Sequence, residues 1–176
     1  MRHQRDTSDF SEFVEHRSHA LLRTAYLLVG DHQLAQDLVQ EALVKTLIAW
    51  PRLRDTTRVE GYVRRTIVTT AIGWRRRRSF HERPAEFLPE TPTADGADVV
   101  PTHQLLTAHL RGLPPRQRAA IVLRFYEDLS LAQTAELMGC SVGAVKSHVS
   151  VGLSRLRERM GPELDLVPGE EEELTS

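Results

Sequence analysis

A single cysteine, Cys140, excludes an internal disulfide framework in this chain of 176 residues. Eight histidines do not make up for it, because the closest pair, His16 and His19, belongs to no metal-ligand cluster. No apolar run approaches the 18 residues of a membrane span, and the opening MRHQRDTSDF has no hydrophobic signal region. These absences predict a soluble, cytoplasmic protein that is not inserted in a membrane. There is no Gly-rich phosphate loop, no nucleophile elbow and no acid pair at useful spacing, so no catalytic residue, no metal and no cofactor is expected. An enzyme is the reading that the pattern supports least. Segments of strand-like alternation are also missing, which leaves an all-α fold.

The charge is unevenly distributed. The formal net charge is −1, with 23 basic and 24 acidic residues. After Arg159 there is no basic residue, yet Glu163, Asp165, Glu170, Glu171, Glu172 and Glu173 all lie there. The body therefore holds 23 basic against 18 acidic residues, a net charge of about +5. A basic body with an anionic end suits a nucleic-acid binder. Residues 162–176 read as a disordered acidic tail, either solubilising or regulating in cis.

The most informative stretch is LPPRQRAAIVLRFYEDLSLAQTAELMGCSVGAVKSHVSVGLSRLRERM, from Leu113 onward. Ser130 caps a short helix with Leu131, Ala135, Leu137 and Met138 on its apolar side, and Gly139 is a left-handed stop. Ser141 caps a second helix whose Val142, Val145, Val149, Leu153, Leu156 and Met160 recur every three or four residues as a buried stripe. Its other surface carries Gly143, Lys146, Ser147, Ser150, Arg155 and Arg157. Helix, tight turn and a helix with a small polar and basic face form a helix-turn-helix, whose second helix fits the DNA major groove.

Toward the N-terminus, Asp9 with Glu12 suggests a capping box opening a helix through Phe10, Phe13, Val14, Leu21, Ala25, Leu28 and Val29, closed by Gly30. Asp31 then caps a helix reaching Trp50, with Leu34, Leu38, Ala42, Leu43 and Leu47 as its apolar set. Asp37, Gln40, Glu41, Val44 and Ile48 fall off that stripe, and aliphatics exposed among acids point to a partner surface. A loop from Pro51 to Arg58 precedes a helix opened by Thr57 and Glu60 and packed through Val59, Val63, Ile67, Thr70, Ala71 and Trp74. This helix is heavily basic, with Arg64, Arg65, Arg75, Arg76, Arg77 and Arg78, then Arg83, and Glu82 the single acid between Arg64 and Arg83. Consecutive arginines cannot all pair within one fold, which points to phosphate contact. Tyr62, Trp74 and Phe80 interleave with them as stacking candidates, although Trp74 also fits a core position.

From Pro84 the composition turns to four prolines and four acids without a base, which reads as an extended linker over 84–102. Thr102 caps a helix through Leu105, Leu106 and Leu110 to Gly112. Pro115 begins the next, whose Ile121, Val122, Phe125 and Tyr126 are expected to pack beneath the helix-turn-helix.

The block DLVQEALVKTLIAW in the first half, followed by the Leu113–Arg157 block in the second, resembles bacterial RNA polymerase sigma factors of the extracytoplasmic-function (ECF, sigma-70) class, in particular the actinomycete sigma-E-like group. The resemblance covers roughly residues 8–83 and 103–160. It implies two small helical domains: a region 2-like bundle over 1–83 and a region 4-like helix-turn-helix over 103–161. The implied function is binding of core RNA polymerase and promoter-specific initiation, with partners in the β′ clamp, the β flap, promoter DNA and an anti-sigma factor. By the same resemblance, Asp37, Gln40, Glu41 and Val44 match the clamp-docking segment. Arg54, Arg58, Tyr62, Arg64, Arg65, Thr69, Trp74 and Arg75 to Arg78 match the region that melts the −10 element. Ser141, Gly143, Ala144, Lys146, Ser147, His148, Ser150, Val151 and Arg155 match the −35 reader, and the linker matches a segment running through the RNA exit path.

The chain also departs from the family pattern. Thr69 and Gly73 stand where asparagine and aspartate are usual. Val151 replaces a common arginine, which means weaker −35 binding or an apolar contact to a thymine methyl. The long acidic N-terminal domain and middle domain of housekeeping sigma factors have no counterpart. VKSHV equally resembles a LuxR-type regulator, which acts on duplex DNA without joining polymerase.

Overall fold

The computed structural model describes residues 7–53, 56–81 and 101–161, and within these it is helical with no strand. Arg54, residues 84–100 of the expected linker and the acidic tail from 162 lie outside the described residues. The helices are α1 (Thr7–Val29), α2 (His32–Ala49), α3 (Thr56–His81), α4 (Pro101–Arg111), α5 (Pro115–Ile121), α6 (Leu131–Met138) and α7 (Val142–Met160). A 3₁₀ turn over Trp50–Arg52 follows α2, and a π-helical turn over Val122–Tyr126 follows α5.

Helices α1 to α3 form the N-terminal bundle. Leu21, Ala25 and Leu28 of α1 meet Leu38, Val39 and Ala42 of α2 and Val59, Val63, Ile67 and Val68 of α3 in a buried core. Trp50 closes its end, with the Phe10 ring edge-on at 5.1 Å. Asp31 caps α2 as expected, its carboxylate accepting from Leu34 N at 2.7 Å. The two other expected N-terminal caps do not fall at the helix starts. Helix α1 starts two residues before Asp9, which lies inside its first turn. Helix α3 starts at Thr56, so Thr57 falls within its first turn, and Glu60 bonds to Arg17 and Arg64 across the helix flank.

The C-terminal helices build the helix-turn-helix. Ser130 and Gln133 complete a capping box on α6. Gly139 then takes the left-handed conformation (φ 63°), with Cys140 N bonded to Ala135 O at 3.0 Å and Gly139 N to Glu136 O at 3.3 Å. This pair of bonds is the Schellman closure, and it ends α6 before the turn. Ser141 accepts from Ala144 N at 3.1 Å to start α7. Val145, Val149 and Leu156 are buried as expected, whereas Val142 in the first turn is exposed. Gly152 lies outside the expected apolar stripe, yet it is buried where α7 crosses α5. A Cβ there would stand 2.6 Å from Ile121 Cδ1, so a larger residue would have to displace the end of the Ile121 side chain. Gly152→Val is therefore expected to destabilise the chain by about 1–3 kcal/mol through overpacking, seen as a lower urea midpoint.

Two further expectations are corrected. Thr102 lies within α4, which starts at Pro101. Phe125 and Tyr126 are exposed rather than packed beneath the helix-turn-helix. The cause is the π-helical turn, in which Glu127 N bonds back to Val122 O at 3.0 Å. Its extra residue per turn rotates the following side chains off the buried face that an α-helical period would give them.

The two helical units do not stand apart. Helix α4 packs on α1, and α5 and α6 pack on α3, so that one buried cluster runs through both.

Candidate nucleic-acid interface

The outer face of α7 is a row of small side chains. Gly143, Ser147, Ser150 and Val151 are exposed on it, and Ala144, Lys146 and His148 flank it half-buried. Ser141 is exposed at the N-terminus, with its hydroxyl engaged in the cap. Small side chains let a helix approach base edges closely, and the first turns are the part that enters a major groove. Arg155, two turns further on, donates to Gln117 Oε1 at 3.0 Å, which fixes the guanidinium between α5 and α7. Burial first, and the Arg116 charge second, hold the His148 imidazole below its ordinary pKa. At neutral pH it is thus a neutral group that adds no charge to this face. Val151, 41% exposed, offers an apolar surface.

On α3, Arg58, Tyr62, Arg65 and Thr69 recur at four, three and four residues and so share one face. Arg58, Arg65 and Thr69 are exposed and Tyr62 is half-buried. The Thr69 hydroxyl donates to Arg65 O at 2.8 Å, so it is satisfied within the helix in this arrangement. Trp74 is half-buried and packs against the core, which favours the packing role among the two its position allowed. Arg75, Arg76, Arg77 and Arg78 are placed by their backbone alone, on the last turns of α3. Arg64 does not share the open face. It pairs with Glu60 at 3.0 Å and with Glu127 at 2.8 Å.

A third surface lies on α2. Asp37, Glu41, Val44 and Ile48 line up at four, three and four residues, beside Gln40 and Leu47. Asp37 accepts from Gln33 at 3.2 Å and Glu41 pairs with Lys45 at 2.6 Å. Val44, Leu47 and Ile48 are 57%, 44% and 75% exposed. The helical period places Leu47 inside, and the structure does not. Thr46 fills that inward position, its hydroxyl bonded to Ala42 O at 2.7 Å, and Leu47 joins the outward apolar strip. Among the described residues no group of His, Cys, Asp and Glu is arranged to hold a metal ion, and no helix is long and apolar enough to cross a membrane.

Comparison with known proteins gives these surfaces their context. The sequence model for sigma-70 region 2 matches residues 13–81, and that for sigma-70 region 4 matches residues 103–156. The chain belongs to the sigma-70 family. It is 41% identical over 152 residues to the RNA polymerase sigma-E factor of Streptomyces coelicolor, covering 86% of each chain. It is 28% identical over 157 residues to the ECF RNA polymerase sigma factor SigM of Mycobacterium tuberculosis, covering 89% of this chain and 79% of that one. The fold matches the sigma factor RpoE of Bartonella quintana, solved with the anti-sigma factor NepR, with a TM-score of 0.68 at 24% identity, covering 89% of this chain and 98% of that one.

The protein is an ECF sigma factor, a subunit that binds core RNA polymerase and directs initiation at specific promoters. It is not an enzyme, since the polymerase performs the chemistry. The region 4 match spans the helix-turn-helix, which assigns that motif to a sigma factor and not to a LuxR-type regulator.

Proposed function

We propose that this sigma factor divides promoter recognition between α7 and α3 and holds polymerase through α2. In this reading α7 enters the major groove of the −35 element, with Ser147, Ser150 and Val151 at base edges and Lys146 and Arg155 toward phosphates. Arg58, Tyr62 and Arg65 on the open face of α3, with Arg54 before it and Arg75 to Arg78 at its end, face the −10 element as it melts. Unstacking a base costs a few kcal/mol, and stacking and pocket contacts with the extruded base offset that cost. Neither DNA contact needs to be strong alone, because both are held at high effective concentration on one polymerase.

The observation that carries this reading is the exposed row Gly143, Ser147, Ser150 and Val151 on the helix that two serine caps and a glycine stop set in place. Lys146→Ala in the holoenzyme is expected to weaken promoter binding evenly across promoter variants and to lower the salt slope by about one. Val151→Arg is expected to do the opposite and raise that slope by about one. A salt titration of holoenzyme on a promoter fragment reads both. Unchanged slopes in both variants would remove α7 from the DNA interface.

Helix α2 is assigned to the β′ clamp through Asp37, Gln40, Glu41, Val44, Leu47 and Ile48, because exposed aliphatics edged by acids suit a partner that is apolar at its centre and basic at its rim. The helix-turn-helix domain is assigned to the β flap by the family resemblance. An anti-sigma factor is a further expected partner, in keeping with the RpoE–NepR complex among the fold's relatives.

A further inference from the structure

Small side chains run down the outer face of α7 well beyond its first turns. Gly143, Ser147, Ser150 and Ser154 recur at four, three and four residues, and all are exposed. No long side chain stands on this line over about 16 Å of helix, at 1.5 Å per residue. A helix this smooth can lie along a major groove for three turns instead of entering it by its tip alone.

The two edges of that line differ in chemistry. Lys146 and Arg157 lie on one edge, with Ser150 between them. Ala144, His148, Val151 and Arg155 recur at four, three and four residues on the other. On this second edge Arg155 is turned to Gln117 Oε1 of α5 at 3.0 Å. The His148 imidazole, held below its ordinary pKa by burial and then by the Arg116 charge, is neutral at neutral pH. Ala144 and Val151 offer hydrocarbon alone, and Val151 is 41% exposed. From Ala144 to Val151 this edge is uncharged, whereas the opposite edge is cationic.

Base discrimination on such a surface has few sources. A serine hydroxyl donates or accepts, so Ser147, Ser150 and Ser154 distinguish bases weakly. A lysine reaches guanine acceptors or phosphates. The feature of a major-groove base edge that favours an aliphatic side chain is the thymine C5 methyl, which separates T·A from C·G at the same pyrimidine. Packing valine on that methyl removes both from water, and neither has a hydrogen bond to lose.

We propose that Val151 is a specificity-determining residue that reads a thymine methyl in the −35 element, with Ala144 extending the same apolar edge toward the start of α7. The proposal rests on the reading that α7 lies in the major groove of that element.

The test uses holoenzyme and a duplex promoter fragment taken from a transcript that requires the protein. Each thymine of its −35 element, on either strand, is replaced singly by deoxyuridine, which lacks only the C5 methyl. At one position the replacement is expected to weaken binding about fourfold, the equivalent of one buried methyl group. At that position 5-methylcytosine should bind better than cytosine by a similar factor. Val151→Ala should lose about the same factor on the thymine fragment and little more on the deoxyuridine fragment, because the two changes remove one contact. The side chain is exposed, so the thermal melt of the variant should match that of the wild type. A −35 element without thymine, or binding indifferent to every deoxyuridine, would overturn the proposal. So would a deoxyuridine effect that persists in full in Val151→Ala. The salt slope of Lys146→Ala separates this failure from a wrong placement of α7. A slope that falls while deoxyuridine has no effect sinks the methyl contact alone, and a slope that also stays unchanged sinks both.

Discussion

Ile48→Asp is expected to weaken binding to core polymerase by at least about 30-fold, with little change in the stability of the free protein. The side chain is 75% exposed on α2, so an aspartate there meets solvent in the free chain and breaks no packing. In the proposed complex Ile48, with Val44 and Leu47, belongs to the apolar strip that core polymerase would cover. A central apolar anchor contributes about 2 kcal/mol or more when truncated, and a carboxylate adds the cost of burying an unpaired charge. Two kcal/mol already corresponds to about 30-fold. Equilibrium binding to core polymerase, paired with a thermal melt of the free protein, separates the two effects. An equal loss in both would mean that Ile48 supports the fold rather than a partner.

The second large effect concerns the end of α3. Reversing Arg75 to Arg78 to glutamate changes the local charge by eight units at the place where melted, unpaired DNA is expected to lie. Each phosphate that the protein no longer neutralises lowers the salt slope by close to one unit, and the introduced glutamates repel the strand as well. Initial recruitment to duplex DNA through α7 should survive in part, whereas strand opening should be abolished. Permanganate footprints of the holoenzyme on a promoter report this directly through reactive thymines in the −10 element. Wild-type reactivity in the variant would exclude the arginines from melting.

Helix ends were legible in the sequence wherever the signal is local. Asp31, Ser130, Ser141 and Gly139 act at the residues where their chemistry predicts, because a cap needs only neighbours within one turn. The same rule misplaced two helix starts, since α1 already begins at Thr7, before Asp9, and α3 at Thr56, before Thr57. Helical periodicity found most of the core, and it misplaced Leu47, Phe125, Tyr126 and Val142. Leu47 was displaced by a threonine that satisfies its own hydroxyl within the helix. The two aromatics were rotated outward by a π-helical turn that an α-helical period cannot reveal. The small, polar outer face of α7 was visible in the sequence, but the open face of α3 needed the structure to separate Arg58, Tyr62, Arg65 and Thr69 from Arg64. Nothing in the local pattern announced the hydrogen bonds of Arg118 and Glu127, since their partners lie 90 and 103 residues away at Leu28 and Thr24.

The central claim is that this protein gives core polymerase its promoter specificity through two DNA elements. Run-off transcription with sigma-free core polymerase and a pool of genomic promoter fragments tests it most directly, with core alone as the control. Discrete transcripts that require the protein, with start sites sharing a −35 and a −10 element at fixed spacing, are the predicted result. No protein-dependent transcript, together with a footprint on duplex DNA in the absence of polymerase, would contradict it.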